Sequence, residues 1–327
     1  MTRTSEPIKK NHRLIVTGTT GTLGGNFLEQ IDGLPDKNVL ALLRTGAAPP
    51  KKFAGVHYRH VDYFDRAEVA GVIKEFQPTS LVHCAASGMR FPRPEWFDMI
   101  RFNVDTSLHL CESVSQVPGC QFVYISTGLG YRDQGRALAE CDPLDTEHPY
   151  GASKAAADML MRAAAAEFGV PMIVLRPFSF SGAGDTSTRL FPSLLRAAVE
   201  KRPFNLSPGD QIRDHCAAGD VARGIKQAIL LREELESETH VFNLGSGSTM
   251  SLKTLVEDVV NQIGLDVQLN FGARDYARFE PMYLAADISR ARTLLNWRPK
   301  INFAHAIWEL AQESFPSLKL KQPGAAL

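Results

Sequence analysis

The sequence predicts an α/β chain, a doubly wound parallel sheet with a smaller C-terminal lobe. Three observations carry this expectation. Short apolar runs alternate with helix-length segments through the first half. A glycine-rich turn joins the first apolar run to the first helical segment. After Phe178, glycines and prolines at Gly182, Gly184, Pro192, Pro203, Pro208 and Gly209 break the pattern into short pieces, as a separate lobe would require.

The strands come first. Residues 14–16, 39–43, 80–83 and 122–125 are continuous apolar runs, which suit strands covered on both faces by helices. Between them lie helical segments at 23–31, 66–76 and 94–117, giving strand-helix-strand units with right-handed crossovers. Residues 150–168 are rich in alanine and hold no internal proline, so a long helix follows the fourth run. A fifth strand at 172–175 comes next. Helical spacing at 220–231 and an apolar run at 241–244 predict that the chain returns to the sheet. The last residues, 313–327, show little periodicity and are expected to fray.

Composition excludes several classes. At 327 residues the chain can bury a large core. Thirty-six basic residues balance thirty-six acidic ones, so no global field would hold a nucleic acid or an anionic membrane. Five cysteines with no C-x-x-C spacing argue against a disulfide framework or a metal site. The polar start, Met1 to Asn11, is no signal peptide, and no stretch is long and apolar enough to span a membrane, so a cytoplasmic protein is expected.

The chemistry begins at Thr17-Gly18-Thr19-Thr20-Gly21-Thr22-Leu23-Gly24. Glycines are needed where the turn is tight and where backbone approaches a pyrophosphate, and the following helix offers free N–H groups to the phosphates. An ordinary strand-to-helix turn is the plainer alternative. At the end of the second strand stands Arg44, where a carboxylate would suit the ribose hydroxyls of NAD(H). An arginine there can instead hold the 2′-phosphate of NADP(H), unless it is only a solvated strand-end residue. NADP(H) is therefore favoured, with NAD(H) open. Asp62 can accept from an adenine amine or be a surface acid, and Tyr63 beside it is a further candidate for the cofactor site.

Tyr150 and Lys154 lie four residues apart at a helix start and so share one face. A nearby ammonium favours the phenolate, which would let Tyr150 exchange a proton with a substrate oxygen near neutral pH. Thr127, at the carboxyl end of the fourth run, can polarise or orient that oxygen, or merely cap a turn. Ala85, Ala86 and Ser87, after the third run, are small enough to admit a cofactor. Asn103, on the next helix, bonds either ligand or buried backbone.

Together these residues resemble the extended short-chain dehydrogenase/reductases, in the branch of nucleotide-sugar epimerases, dehydratases and reductases. The resemblance spans residues 13 to 312. It rests on Gly18-x-x-Gly21-x-x-Gly24, Asp62, Ala85-Ala86, Asn103, Ser126-Thr127, Tyr150-x-x-x-Lys154 and Leu175-Arg176-Pro177. Later marks are Gly209 through His215, Gly219-Asp220-Val221-Ala222, Phe242 through Gly247, Ala286 through Ser289, and Leu295 through Pro299. The resemblance implies a Rossmann-like NAD(P)-binding domain over residues 1–177, with segments near 213–245 returning to it. A substrate-binding lobe over 178–312 would hold a nucleoside-diphosphate sugar. It also implies catalytic roles for Thr127, Tyr150 and Lys154, a nicotinamide contact at Phe178, a sugar contact at Ser179 and diphosphate contacts at Arg213 and Arg278. By analogy the protein forms a homodimer through the helices at 94–117 and 150–168.

Dehydratases of this branch carry Thr-Asp-Glu where this chain has Thr127-Gly128-Leu129, which disfavours dehydration. Arg44 leans towards NADPH-dependent reduction of a 4-keto deoxysugar nucleotide, with an NAD-dependent 4-epimerase as the alternative. A non-catalytic NADP-sensing protein is the reading from another class.

Overall fold

The computed structural model describes residues 12–34, 36–49, 51–88, 95–186, 188–233 and 239–327. The polar residues 1–11 and the expected helix start at 94 lie outside the described residues. The first six strands are β1 (Arg13–Thr17), β2 (Asn38–Arg44), β3 (Val56–Val61), β4 (Ser80–His83), β5 (Gln121–Ile125) and β6 (Met172–Pro177). With a seventh strand, Thr239–Leu244, they form one parallel sheet in the order β3-β2-β1-β4-β5-β6 followed by Thr239–Leu244. Chain order reverses between β1 and β4, which opens a crevice at the carboxyl ends of those strands.

The inner strands β1, β4, β5 and β6 are almost wholly buried, as their continuous apolar runs require. The strand missed by the sequence reading is β3. Its sequence, Val-His-Tyr-Arg-His-Val, alternates at the sheet edge and leaves His57, Arg59 and His60 exposed, so no apolar run announced it.

The helices are α1 (Thr22–Gln30), α2 (Arg66–Phe76), α3 (Trp96–Ile100), α4 (Thr106–Ser115), α5 (Pro149–Phe168), α6 (Leu190–Val199) and α7 (Ala218–Leu230). The single helix expected over 94–117 is interrupted by a wide turn at Arg101–Asp105, which joins α3 to α4. One face of the sheet packs Ile15, Leu42 and Tyr124 against Val69 and Ile73 of α2, Leu110 of α4 and Met161 of α5. The other packs Leu14 and Val123 against Phe27 of α1 and Ile225 of α7. A third core joins Leu194 of α6 to Val256 and Val259 of helix Leu252–Ile263 and to Ile307 and Leu310 of helix Phe303–Ser314.

Two buried aspartates tie the later segments to this frame. Asp214 accepts hydrogen bonds from the N–H groups of Ser246 and Ala286, the latter at 3.0 Å. Asp220 accepts from those of Lys300 and Ile301, both at 2.9 Å, while its carbonyl takes Trp297 Nε1–H at 2.8 Å. Residues 313–327, expected to fray, are instead held. Lys321 N–H donates to the Ile263 carbonyl, Asn302 N–H to that of Ala325, and Leu327 N–H to that of Lys300. Leu318 and Leu320 pack on the third core, a tertiary contact that no local periodicity encodes.

Candidate active site

The crevice between β1 and β4 opens into a cavity of about 640 Å³ that runs from the glycine loop to the C-terminal lobe. Gly18, Thr20, Gly21, Thr22, Leu23 and Gly24 line one end. Gly18 has φ +74°, and a Cβ there would lie 2.5 Å from the backbone nitrogen of Ala85. Only glycine lets the turn meet the end of β4 so closely. Helix α1 starts immediately after Gly21, so its unbonded N–H groups face the cavity. Thr19 also lines the space, with Oγ1 buried and without a hydrogen-bond partner among the described residues.

Arg44 and Tyr63 lie at the same end. Arg44 is exposed at the tip of β2. The Tyr63 hydroxyl donates to the Leu42 carbonyl at 2.9 Å, so this side chain contributes its ring face rather than its hydroxyl. Asp62 does not line the cavity. It is exposed, and its Oδ1 accepts from Phe64 N–H at 2.9 Å in a local turn. Ala85, Ala86 and Ser87 line the middle. Asn103 does not reach it. Its Oδ1 accepts from Ser87 N–H at 2.7 Å and its Nδ2 donates to the Ser87 carbonyl and to Ser153 Oγ, so it clamps the loop that bounds the cavity.

At the far end of the strands, Thr127 and Tyr150 share the cavity with Phe178 and Ser179. Local sequence explains the approach. His148 caps α5 by accepting from Gly151 N–H at 3.2 Å, and Pro149 suits the first helical position. Gly151 passes so near the Leu129 carbonyl that a Cβ would come within 3 Å of it. This contact brings the start of α5 against the loop after β5, at the cavity that Thr127 and Tyr150 both line. The ring of Phe178 packs on Gly128, where a Cβ would meet it at 2.7 Å, and stacks on Tyr131 at 5.9 Å. A longer side chain at 128, such as the acid of a Thr-Asp-Glu sequence, would displace Phe178.

Lys154 lies one turn beyond Tyr150, 1% exposed, with Nζ 4.2 Å from the centroid of the Tyr124 ring and no hydrogen-bond partner among the described residues. Burial pulls its pKa down to about 7, against the pull of Asp158 upward. Burial also pushes the Tyr150 hydroxyl up to about 12, and the opposing cation is Arg189. Sequence reasoning assigned that influence to Lys154; desolvation outweighs it.

The C-terminal lobe contributes Arg213, 6% exposed, which donates to Glu280 and, at 2.7 Å, to the Ile212 carbonyl. Arg278 does not line the cavity. It is exposed, with its guanidinium 5.2 Å from the Phe279 ring. Sequence reasoning missed Arg189, which lines the cavity and bonds Asp185 Oδ1 at 2.9 Å and the Phe180 carbonyl. It stands in an irregular segment whose placement only the fold determines. Among the described residues no cluster of His, Cys, Asp or Glu is placed to hold a metal, the five cysteines are free, and no helix is long and apolar enough to cross a membrane.

A model of the NAD dependent epimerase/dehydratase family matches residues 14–245, the span that builds the sheet, the glycine loop and the Tyr150/Lys154 helix. The chain belongs to that family. It is thereby an extended short-chain dehydrogenase/reductase, and its class is that of NAD(P)-dependent nucleotide-sugar enzymes. Curated relatives of similar length include a UDP-glucuronate 4-epimerase of Thermodesulfobacterium geofontis, 26% identical over 94% of this chain and 97% of the relative. A dTDP-glucose 4,6-dehydratase of Neisseria meningitidis is 26% identical over 92% of each. Among solved structures, the UDP-glucuronic acid 4-epimerase from Bacillus cereus in complex with UDP-glucuronic acid and NAD is 21% identical. The match covers 92% of this chain and 98% of that one, with a TM-score of 0.79. The UDP-glucose 4-epimerase of Thermotoga maritima with UDP-glucose is 19% identical over 94% and 99%, with a TM-score of 0.83. These structures share the family fold along nearly the whole chain.

Proposed function

We propose that this chain is an NAD-dependent epimerase of a nucleoside-diphosphate sugar, with a UDP-sugar as the first candidate. The observation that carries the reading is the composition of the reacting end: Tyr150 and Thr127 line one cavity, where the Tyr150 hydroxyl can exchange a proton with a bound sugar hydroxyl. Glu280, a carboxylate that lines the same cavity, is engaged by Arg213. Elimination of water needs a separate acid and base, and Gly128 under the Phe178 ring leaves no room for the acid. Oxidation of a sugar hydroxyl followed by reduction from the other face needs only one group that takes a proton and gives it back.

The residues present fit a nicotinamide dinucleotide. Lys154 is not among the residues that line the cavity, but its buried Nζ, without a hydrogen-bond partner among the described residues, suits a ribose hydroxyl. The close turn at Gly18 and the free N–H groups of α1 suit a pyrophosphate. A nicotinamide held there would supply the acceptance and return of a hydride at the sugar carbon. Tyr150 takes the hydroxyl proton and later restores it, and Thr127 holds the reacting oxygen. Arg213 binds the diphosphate, for which a buried guanidinium fork is well matched.

The sequence put NADPH-dependent reduction of a 4-keto sugar first, on the strength of Arg44. The epimerases among the relatives and the NAD in related structures support the alternative instead. Arg44, exposed on the cavity lining, favours the reductase. A cytoplasmic location suits the five free cysteines. A homodimer suits the exposed apolar side chains Trp96 and Phe97 of α3 and Met159 and Leu160 of α5. Ala155, Ala157, Ala164 and Ala165 of α5 are buried within the protomer and leave this contact to those exposed side chains.

The deciding experiment records the absorbance of the purified protein and then assays UDP-glucuronic acid and UDP-glucose without added cofactor. Retained NAD⁺ and interconversion at C4 are expected. A protein that carries no cofactor and consumes NADPH with a 4-keto sugar nucleotide would return the assignment to a reductase.

A further inference from the structure

The C-terminal lobe reaches back to the first turns of α1. Asn26 donates Nδ2 to the Ala183 carbonyl at 2.8 Å. Thr22, the first residue of the helix, shares its hydroxyl proton between the Gly184 carbonyl at 3.2 Å and Asp185 Oδ1 at 3.3 Å. Asp185, its side chain fully buried, is the knot of this contact. Its Oδ2 accepts from Ser181 Oγ at 2.8 Å and its Oδ1 from Thr186 N–H at 2.9 Å. The same Oδ1 accepts from Arg189 Nη1 at 2.9 Å, while Arg189 Nη2 donates to the Phe180 carbonyl at 2.6 Å. One oxygen thus serves both Thr22 and Arg189, which keeps Nη1 within about 6 Å of the hydroxyl that opens α1. Those two bonds leave the guanidinium further N–H groups, and Arg189 lines the cavity with its side chain 25% exposed.

The end of the cavity beside α1 has no cation of its own. A pyrophosphate carries a negative charge on each phosphate, yet no lysine or arginine stands between Thr17 and Gln30. The helix offers N–H groups. Thr19, 2% exposed, adds an Oγ1 that lines this space without a partner among the described residues. Of the other arginines that line the cavity among the described residues, Arg44 stands at the tip of β2 and Arg213 is engaged by Glu280. Arg189 is the one tied to the start of α1.

We propose that Arg189, set in place by Asp185, binds the cofactor pyrophosphate from the C-terminal lobe and supplies the positive charge that the glycine loop lacks. An arginine fork suits phosphate oxygens. Asp185 keeps three other donors when part of that fork turns to a phosphate. The inference rests on the nicotinamide dinucleotide reading above, and it makes the lobe a part of the cofactor site.

The test is calorimetric titration of the cofactor-stripped full chain with NADH and, separately, with UDP. Arg189→Gln should weaken NADH binding about ten- to thirty-fold, as the loss of charge-assisted hydrogen bonds requires, and leave UDP binding within about two-fold of the unaltered protein. Arg189→Lys keeps the charge without the fork, so NADH should bind about three-fold more weakly. Asp185 retains its three other donors in both variants, so the loop is expected to hold. The UDP arm separates a contact to the cofactor from a contact to the substrate's diphosphate and from a general loosening of the lobe. A loss of UDP affinity as large as that of NADH overturns the proposal. So does NADH affinity equal to that of the unaltered protein in whichever variant folds. The expected NADH loss in a protein without epimerase activity would leave this inference standing and sink the epimerase. An unaltered chain that binds neither NADH nor NADPH would sink both.

Discussion

Tyr150 and Lys154 sit in a site dry enough to work against their ordinary charge states. Burial holds the phenol protonated and the amine near its half-charged point, so the site depends on charges brought to it or built around it. Replacing Tyr150 with Phe removes one hydroxyl from a packed ring position. Turnover should fall by about 10²- to 10⁴-fold while cofactor affinity changes little, and turnover assays beside calorimetric titration of NADH check both. A variant with full turnover would dismiss Tyr150 as the proton carrier. Lys154 makes a pH-dependent prediction. Its folded pKa, about 7, lies below the ordinary 10.5, so the unfolded chain binds the proton more tightly. The cost of the buried ammonium is fully present below pH 7 and fades as pH rises towards 10.5. Without cofactor, Lys154→Met should therefore stabilise the protein at pH 6 by an amount on the order of 3–5 kcal/mol, with the two denaturation curves converging at high pH. Equal stabilities at pH 6 would mean that the lysine finds water or a partner there.

At the scale of elements, the site depends on close backbone passages. The start of α5, which carries Tyr150, and the loop after β5, which follows Thr127, touch at Gly151 and the Leu129 carbonyl. Gly151→Ala would ordinarily favour a helix. Here the added methyl group must push the two elements apart, so we expect a destabilisation of about 1–3 kcal/mol together with a loss of kcat larger than any change in cofactor affinity. Chemical denaturation and steady-state kinetics measure the two effects, and a more stable, fully active variant would show that the passage is loose. The wide turn Arg101–Asp105 has a comparable role. It places Asn103 where both ends of its amide reach Ser87, and so a residue that the family pattern marks as functional acts here through the loop that it holds.

Across the whole molecule, the C-terminal segment closes the lobe on itself. Deleting residues 316–327 removes Leu318 and Leu320 from the third core and frees the Ile263 and Lys300 carbonyls. A loss of about 2 kcal/mol of stability is expected from that apolar area, visible as a lower Tm; an unchanged Tm would show that the segment contributes nothing. The doubly wound sheet was legible in the sequence because buried parallel strands are read as unbroken apolar runs and the helices between them as amphipathic segments. The glycine loop, Thr127 and the Tyr150/Lys154 pair could be singled out as candidates because the chemistry proposed for each sets a spacing along one strand end or one helix face. Edge strand β3 was not, since one covered neighbour leaves its side chains free to be polar. Asp62, Asn103 and Arg278 carried the right residue types at the right sequence positions, but nearby backbone groups or solvent take up their side chains. Local sequence determined the inner strands, most of the helices and the spacing of Tyr150 and Lys154 on one helix face, because those follow from periodicity and short spacing. Only the tertiary structure decided that Arg189 enters the cavity, that Phe178 closes position 128 and that Arg176 of β6 pairs with the buried Asp158 of α5, because each requires segments distant in sequence to be packed together.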